Sequence, residues 1–360
     1  PKMAMNARWL GLGCRIGVLP WVLLETLAGE PRMLTFTRFE TFERAPGSRA
    51  GERILTSPPL SPGLDWDELV VSWNAASPVN LKVEARPLPP ADSRFYSFGH
   101  WAAVPGPETP RSSLNEQKDS VATMQTDTLV LNQPAESLQI RITFSGPAEG
   151  LKRLSLTFTG PTTAAALTQR YPEAWGRDLG VPIRSQADYP EGVDKWCSPT
   201  STAMLLAFWG EQLPREDLFT AVPEVAAGVF DPGWGGTGNW PFNMAWAGRY
   251  PGIHSAVGRL AGLADLERWI AAGAPTAASV SYALLKGKAA PAAGDGHLVV
   301  VRGFTPEGDV IVNDPGVRRE RVRRVFPRAD FERAWNHSKR TVYLVWPEGH
   351  RLPTGPAFPQ

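Results

Sequence analysis

Residues 33–160 repeat short runs in which apolar and polar side chains alternate. The runs VNLKVEA (79–85), LQIRITF (138–144) and RLSLTF (153–158) each place an apolar residue at every second position. A period of two is the pattern of a strand with one buried face, and joins rich in proline, such as RPLPPADS, separate the runs. This region therefore predicts an antiparallel β-sandwich, and we find no catalytic set of residues in it.

After residue 178 the pattern changes to a mixture of helices and strands. The run AMLLAFW is apolar on every side, whereas GLADLERWIAAG carries its apolar residues on one face of a helix. These patterns predict an α+β domain. Its predicted elements are a buried helix at 198–209, an amphipathic helix around GLADLERWIAAG, and strands at 276–282, 297–303, 309–313 and 341–346.

The change of pattern divides the chain. Residues 33–160 form the β-sandwich accessory domain, 161–177 a linker, and 178–350 the α+β domain. Residues 1–32 are an N-terminal segment whose apolar run IGVLPWVLL resembles a degenerate signal peptide. This predicts an extracytoplasmic protein, secreted or in the cell envelope, with the cytoplasm as the alternative. The nine residues of that run are too few to cross a bilayer, so no transmembrane segment is predicted.

Charge and cysteine content exclude several classes of protein. The net charge is +1 over 360 residues, and the chain has no long run of lysine or arginine, so no nucleic-acid partner is predicted. The basic stretch RVRRVFPR (321–328) predicts an exposed strand or turn. Cys14 and Cys197 are too far apart in sequence to suggest a disulfide framework or a zinc site. His254 and His337 have no acidic or cysteine partner at ligand spacing, so we assign no metal and no cofactor.

Cys197 is the first candidate for chemistry, because it stands immediately before the buried helix in DKWCSPTSTAMLLAFWG. The free N–H groups and dipole of a helix N-terminus favour the thiolate, which is the reactive form of cysteine. Pro199 suits the first helical turn, where its missing N–H costs nothing, and Gly210 suits the end of the helix. Taken alone, a cysteine in this position is more often an inert buried thiol, so the functional interpretation of Cys197 needs a base.

The segment GHLVVVRGFTPEGDVIVNDPG offers that base. Its two apolar runs, joined by FTPEG, predict a β-hairpin that brings His297 beside Asn313 and Asp314. A carboxylate there would accept a hydrogen bond from one imidazole nitrogen and leave the other facing the thiol. Neighbouring strand residues face opposite ways, so only one of Asn313 and Asp314 can reach His297, and pairing parity does not choose between them.

An acyl-transfer site also needs donors for the developing oxyanion. The backbone N–H of Cys197 is one candidate, and the side-chain amide of Gln186 in VPIRSQ is another. Downstream, FDPGWGGTGNWPFNMAWAG could form the wall of a substrate groove or could pack internally, and for Trp234 both readings stay open. We predict substrate contacts at the following residues: Trp196, Trp234, Gly235, Asn239 and Trp240.

These motifs together resemble the C39-like peptidases, bacterial proteins with a papain-like domain. The resemblance rests on VPIRSQ before WCSPTSTAM, on GNWPFNMAWAG, and on GHLVVVRGF with DVIVNDP, and it extends over about 178–346. SWNAASP and LKVEARP also look like the N-terminal part of some members. The resemblance implies Cys197 as nucleophile, His297 as base and then acid, Asp314 as orienting group and Gln186 as oxyanion donor.

The expected protein is therefore a papain-like cysteine hydrolase preceded by a β-sandwich. It would cleave a peptide or amide bond in a peptide or protein substrate through a thioester acyl-enzyme, and the N-terminal domain would contact a polymer or a cell surface. One alternative is an acyltransferase that uses the same site. The other is a binding or scaffold protein that keeps a papain-like core without turnover.

Overall fold

The computed structural model describes residues 29–76, 78–90, 93–161 and 169–359. Cys14 and the predicted signal peptide fall on residues before 29, outside the described part of the chain. Residues 162–168 of the predicted linker also lie outside it. Export therefore stays a prediction.

Ten strands occupy the described residues before the predicted linker. They are β1 (Arg32–Phe36), β2 (Glu43–Pro46), β3 (Glu52–Thr56), β4 (Trp66–Ala75), β5 (Asn80–Leu88), β6 (Tyr96–Ala102), β7 (Ala122–Gln125), β8 (Thr128–Ala135), β9 (Ser137–Ser145) and β10 (Leu151–Thr159). All their pairings are antiparallel. They make two five-stranded sheets, in the orders β1-β10-β4-β8-β7 and β2-β3-β9-β5-β6.

The alternation in the sequence appears directly as alternating burial. In β9 the even-numbered residues from Leu138 to Phe144 are buried, and the polar residues between them are half-buried. The register pairs β9 with β3 on one side and with β5 on the other, so the apolar faces of the three strands coincide. β4 is buried almost throughout, because its sheet is covered by the second half of the chain.

The second half contains six strands and six helices. The strands are β11 (Ile253–Arg259), β12 (Thr276–Ser281), β13 (Gly296–Phe304), β14 (Val310–Asn313), β15 (Arg323–Phe326) and β16 (Thr341–Pro347). The helices are α1 (Cys197–Gln212), α2 (Val222–Val229), α3 (Trp240–Ala247), α4 (Leu263–Ala271), α5 (Tyr282–Leu285) and α6 (Arg328–Asn336). The strands form one antiparallel sheet in the order β11-β16-β12-β13-β14-β15.

Helix α1 is buried on all sides from Ser198 to Gly210, as its sequence predicts. It is anchored to the sheet by the indole N–H of Trp209, which donates to the carbonyl of Val345 at 2.8 Å. The helix does not end at Gly210, however, but continues to Gln212. Glycine is needed there for a close approach instead, since a Cβ at position 210 would lie 2.8 Å from the ring of Phe219.

Side chains of the first N-terminal sheet cover the free edge of β11. The Asn74 amide both donates to the carbonyl and accepts from the N–H of Ser255, each at 3.0 Å. The Ser72 hydroxyl accepts from Val257 N at 3.0 Å, and the Thr157 hydroxyl donates to Val257 O at 2.6 Å. An uncovered strand edge would leave these backbone groups unpaired. The N-terminal half therefore completes the hydrogen bonding of the sheet that carries the candidate site.

Candidate active site

Cys197 is the first residue of α1, and its side chain is half-buried. The preceding residue, Trp196, caps the helix, and its backbone N–H donates to Gly192 O at 3.1 Å. Because the rest of α1 is enclosed by protein, the helix holds the thiol in a fixed position at the edge of the core. The first turn of a helix leaves backbone N–H groups without helical partners, and the backbone of Ser198 is among the groups that lower the pKa of the thiol.

His297 is the second residue of β13 and is buried, with 5% of its surface exposed. Its Nε2 lies 2.8 Å from Oδ1 of Asp314. The ring also interacts with the thiol of Cys197, and this interaction lowers the pKa of the thiol and raises the pKa of the imidazole. Since Nε2 is engaged by Asp314, Nδ1 is the nitrogen left for the thiol.

Asp314 follows β14 and is completely buried. Besides His297, its Oδ1 accepts from the backbone N–H of Gly316 at 2.9 Å. Its Oδ2 accepts from the guanidinium of Arg324 at 2.8 Å and from the hydroxyl of Tyr282 at 3.3 Å. Four donors therefore satisfy this buried carboxylate and fix its orientation toward the imidazole.

Asn313 is turned the other way. Its side-chain oxygen accepts from Arg302 at 3.0 Å, and its nitrogen donates to the carbonyl of Val181 at 3.1 Å. It is fully buried and has no contact with the imidazole among its hydrogen bonds. Of the two neighbours that the sequence left open, the structure directs Asp314 to His297.

The electrostatics of the three groups favour an ion pair. Burial opposes the charged form of Cys197, but the hydrogen bond and charge of His297 outweigh it and lower the pKa of the thiol below its ordinary value. Burial also opposes the imidazolium, yet the bonds to Asp314 and to the thiol raise the pKa of His297 to about 9. The pKa of Asp314 is lowered, against burial, chiefly by its bond to His297. Near neutral pH these shifts favour a thiolate beside an imidazolium.

Gln186 lies in a short 3₁₀ turn, Gln186–Asp188, and is buried. Its backbone N–H donates to the carbonyl of Pro315 at 3.0 Å, which ties the turn to the loop that follows Asp314. Its side-chain Oε1 is buried without a hydrogen-bond partner. The turn continues through Tyr189, whose ring centroid lies 6.0 Å from that of Trp196, next to the nucleophile candidate.

The predicted substrate residues fall into two groups. Trp234 is 51% exposed and Gly235 is exposed with a φ of +79°, a conformation that favours glycine. Trp196 and Trp240 are half-buried. Asn239 is fully buried, and its side chain accepts from the N–H of Phe242 at 3.2 Å as the cap of α3. It therefore shapes the start of α3 rather than presenting its amide to solvent.

Two residues near the site carried no signal in the sequence. Tyr282 stacks on His297 with ring centroids 4.1 Å apart, and it also reaches Asp314. Arg324 lies in the basic stretch that we predicted to be an exposed strand or turn. That stretch does contain a strand, β15, but Arg324 is half-buried against Asp314. Neither residue type nor spacing predicts the contacts of Tyr282 and Arg324, because these contacts depend on how separate elements pack.

Two segments of the chain match known families. Residues 178–343 match the family described as Peptidase C39-like, and residues 49–160 match the one described as Peptidase C39 N-terminal domain. Among solved structures, a Bacillus anthracis protein named as a C39-like peptidase is 20% identical, with a TM-score of 0.34; the match covers 47% of this chain and 96% of that one. No curated protein matches the chain. Within the residues that the structure describes, none of the helices is long and apolar enough to span a membrane.

Proposed function

The chain belongs to the C39-like peptidase family, and on that premise we propose that it cleaves a peptide or amide bond through a thioester acyl-enzyme. Family membership supports a cysteine-peptidase type of function. The observation that carries this proposal is the hydrogen bond between His297 and Asp314, together with the thiol of Cys197, which lies at a helix N-terminus and has its pKa lowered by His297. We assign these residues the roles of nucleophile, base and then acid, and orienting group.

The reaction begins from the thiolate and the imidazolium. Sγ of Cys197 bonds to the carbonyl carbon, and the carbonyl π electrons move to the oxygen. The backbone N–H of Cys197 and the side-chain NH₂ of Gln186 are the proposed donors to that oxyanion. The C–N bond then breaks while the imidazolium of His297 gives its proton to the leaving amine, which leaves a thioester.

Water completes the cycle. His297, now neutral, takes a proton from water as the oxygen attacks the thioester carbonyl, and the acid product leaves as the C–S bond breaks. Asp314 stays ionised throughout, because its hydrogen-bond donors outweigh the effect of burial on its pKa. Its carboxylate stabilises each imidazolium that forms.

The test is peptide turnover with a matched cysteine control. The purified chain is incubated with a mixed peptide library, and the products are read by mass spectrometry. Cys197→Ala is expected to retain less than about a hundredth of wild-type turnover with a melting temperature within a few degrees, because the side chain lies at a helix start and only half inside the core. Cys14→Ala is expected to cleave as the wild type does. Turnover by Cys197→Ala above about a hundredth of the wild-type value would overturn the nucleophile assignment.

The two alternatives are separated by simple additions to the same assay. If the enzyme is an acyltransferase, an added amine gives an amide product in place of the free acid. If the chain only binds, a thiol-reactive probe at neutral pH fails to label Cys197, because an inert buried thiol does not react. The lowered pKa of Cys197 favours labelling.

We also propose the division and location of the chain. The N-terminal domain, 33–160, would be an antiparallel β-sandwich joined by a linker at 161–177 to the catalytic domain at 178–350, and the protein would act outside the cytoplasm. The two five-stranded antiparallel sheets support the sandwich, and the degenerate signal-peptide pattern supports export. Fractionation of cells that produce the full chain tests the location.

A contact between the N-terminal domain and a polymer or cell surface is favoured by one feature. The second N-terminal sheet carries a cleft of about 510 Å³. Its lining is rich in hydroxyl, amide and charged side chains, including Asn80, Lys82, His100, Arg141 and Thr143. Such a lining suits hydrogen bonding to a polar polymer.

The cleft is tested by sedimentation with purified bacterial cell walls, using the full chain with Cys197→Ala. We expect sedimentation that Asn80→Ala weakens and that Asn132→Ala, on the other N-terminal sheet, leaves unchanged. Absence of sedimentation, or equal loss in both variants, would contradict the proposal.

A further inference from the structure

Trp234 lies on a loop in which its indole packs closely against two glycines. The loop FDPGWGGTGN, residues 230–239, is called here the Trp234 loop. A Cβ at Gly236 would lie 2.6 Å from the indole, and one at Gly238 would lie 3.0 Å from it. About half of the surface of Trp234 is nevertheless exposed to solvent. The indole therefore packs against the backbone at Gly236 and Gly238 and also faces solvent.

Asp231 organises this loop from a fully buried position. Its Oδ1 accepts from the N–H of Gly233 at 3.0 Å, and its backbone carbonyl accepts from Gly235 N at 2.7 Å. Its Oδ2 accepts from the side chain of Asn239 at 2.9 Å. A bridge between Asp231 and Gly236 closes the turn. The backbone of Asp231 therefore closes the turn, and its carboxylate ties Gly233 to Asn239 at the end of the loop.

The same carboxylate attaches the loop to the N-terminal half of the chain. Oδ1 of Asp231 also accepts from the backbone N–H of Ser113 at 2.9 Å. The Asn115 amide donates to Gly233 O at 3.0 Å, and the buried guanidinium of Arg111 donates to Phe230 O at 3.2 Å. We call residues 111–115 the anchor segment. It holds the N-terminal part of the loop, from Phe230 to Gly233.

On its other side the loop is bonded to the segment that carries the nucleophile candidate. The Thr237 hydroxyl donates to the carbonyl of Lys195 at 2.9 Å, two residues before Cys197. The Thr237 carbonyl accepts from Asn243, whose oxygen in turn accepts from Thr202 in α1 at 3.1 Å. A continuous series of hydrogen bonds thus runs from the anchor segment through the loop to the start of α1.

We propose that Asp231 is a positioning residue for substrate recognition: with the anchor segment it holds the Trp234 loop so that the indole binds a large apolar side chain of the peptide substrate. The proposal rests on the proposed peptidase function. Because Asp231 is fully buried, it acts on substrate only through the loop. The N-terminal half would then contribute to specificity without contacting the reacting bond.

The first test is a double-mutant cycle on a library peptide that the wild type cleaves. Trp234→Ala is expected to lower kcat/KM about tenfold, mainly through KM, as loss of an apolar contact does. Asp231→Asn keeps one acceptor oxygen and is expected to lower kcat/KM about fivefold, but less than about twofold when Trp234→Ala is already present. Asp217→Asn, in an exposed pair with Arg215, is the control and is expected to leave kcat/KM unchanged. Additive losses would overturn the proposal.

A second test does not depend on turnover. In the Cys197→Ala chain, chymotrypsin cleavage after Trp234 is followed by mass spectrometry. Asp231→Asn is expected to speed this cleavage at least about tenfold over Asp217→Asn, because the loop opens more often. Asn115→Ala removes one exposed anchor and serves if Asp231→Asn fails to fold; it is expected to speed cleavage less. Unchanged cleavage in both variants would overturn the anchoring.

Together the two tests distinguish a failure of the proposed peptidase function from a failure of the proposed role of Asp231. A wild type that cleaves no peptide overturns the proposed function, and the recognition step falls with it. The proteolysis experiment still decides whether Asp231 and the anchor segment hold the loop. Faster loop cleavage combined with unchanged kcat/KM for the cleaved peptide would overturn the link between the loop and substrate recognition.

Discussion

Nε2 of His297 lies 2.8 Å from Oδ1 of Asp314, while the neighbouring Asn313 bonds to Arg302 on the far side of the strand. We therefore expect Asp314→Ala to lower kcat more than about a hundredfold, since the imidazolium loses its orienting charge. Asp314→Asn should retain part of that activity through its one oxygen. Asn313→Ala should lower the melting temperature but leave kcat of the folded enzyme near wild type. Steady-state kinetics with thermal melts on all three variants checks this, and a greater loss of kcat in Asn313→Ala would reverse the assignment.

The hairpin that makes this pair could be predicted from the sequence, but the choice between its neighbours could not. The apolar runs and the turn FTPEG suffice to place β13 beside β14. The pairing register shifts between Val301 and Gly303, which displaces Arg302 from the ladder. Such a bulge shifts the pairing of β13 with β14 by one residue. It therefore exchanges the faces of the sheet on which Asn313 and Asp314 lie. The sequence pattern of the hairpin does not predict this bulge.

The family resemblance is confirmed by the match over the second half of the chain, and the buried helix and main strands lie where their periodicity predicts them. The surroundings of Asp314 were not predictable. Tyr282 and Arg324 reach it from α5 and β15, and contacts between distant segments depend on packing that no local pattern encodes. Gly210 likewise marks a close approach and not the end of a helix.

Tyr282 is expected to position His297 in two ways, through its ring and through its hydroxyl. Tyr282→Phe removes only the bond to Asp314 and should lower kcat by about two- to tenfold. Tyr282→Ala also removes the stacking and should lower kcat further, with KM changed little in both. Tyr171→Phe, at an exposed tyrosine, serves as control. A rise in KM with kcat unchanged would instead make Tyr282 a substrate contact.

The pH dependence follows from the shifted pKa values of Cys197 and His297. The thiol pKa is lowered, so the thiolate is present below the pH at which an ordinary cysteine ionises. The pKa of His297 is raised to about 9, so the imidazolium that protonates the leaving amine is lost as the pH rises through that value. We expect kcat/KM to fall above about pH 9. A profile that instead keeps rising beyond pH 10 would contradict the ion pair.

The same pair is visible in the rate of thiol alkylation. At pH 7 iodoacetamide should modify Cys197 at least about tenfold faster in the wild type than in His297→Ala, because removing the imidazolium lets the thiol pKa rise. His337→Ala supplies a matched histidine control. Equal rates in the wild type and His297→Ala would show that His297 does not stabilise the thiolate.

Gln186 is expected to act when negative charge develops on the substrate oxygen. Gln186→Ala should lower kcat by roughly ten- to a thousandfold with little change in KM. Asp188→Ala, at an exposed neighbour in the same turn, should leave both constants near wild type. An effect confined to KM would make Gln186 an ordinary substrate contact.

The central claim is a covalent thioester on Cys197, and trapping that species tests it most directly. The enzyme is mixed with an activated peptide ester, quenched in acid within milliseconds to seconds, digested and mapped by mass spectrometry. We predict that the acyl group is found on the peptide containing Cys197, that it disappears on further incubation before quenching, and that Cys197→Ala never carries it. Turnover of the same ester with the acyl group on another residue, or with no acylated enzyme and full activity in Cys197→Ala, would contradict the mechanism.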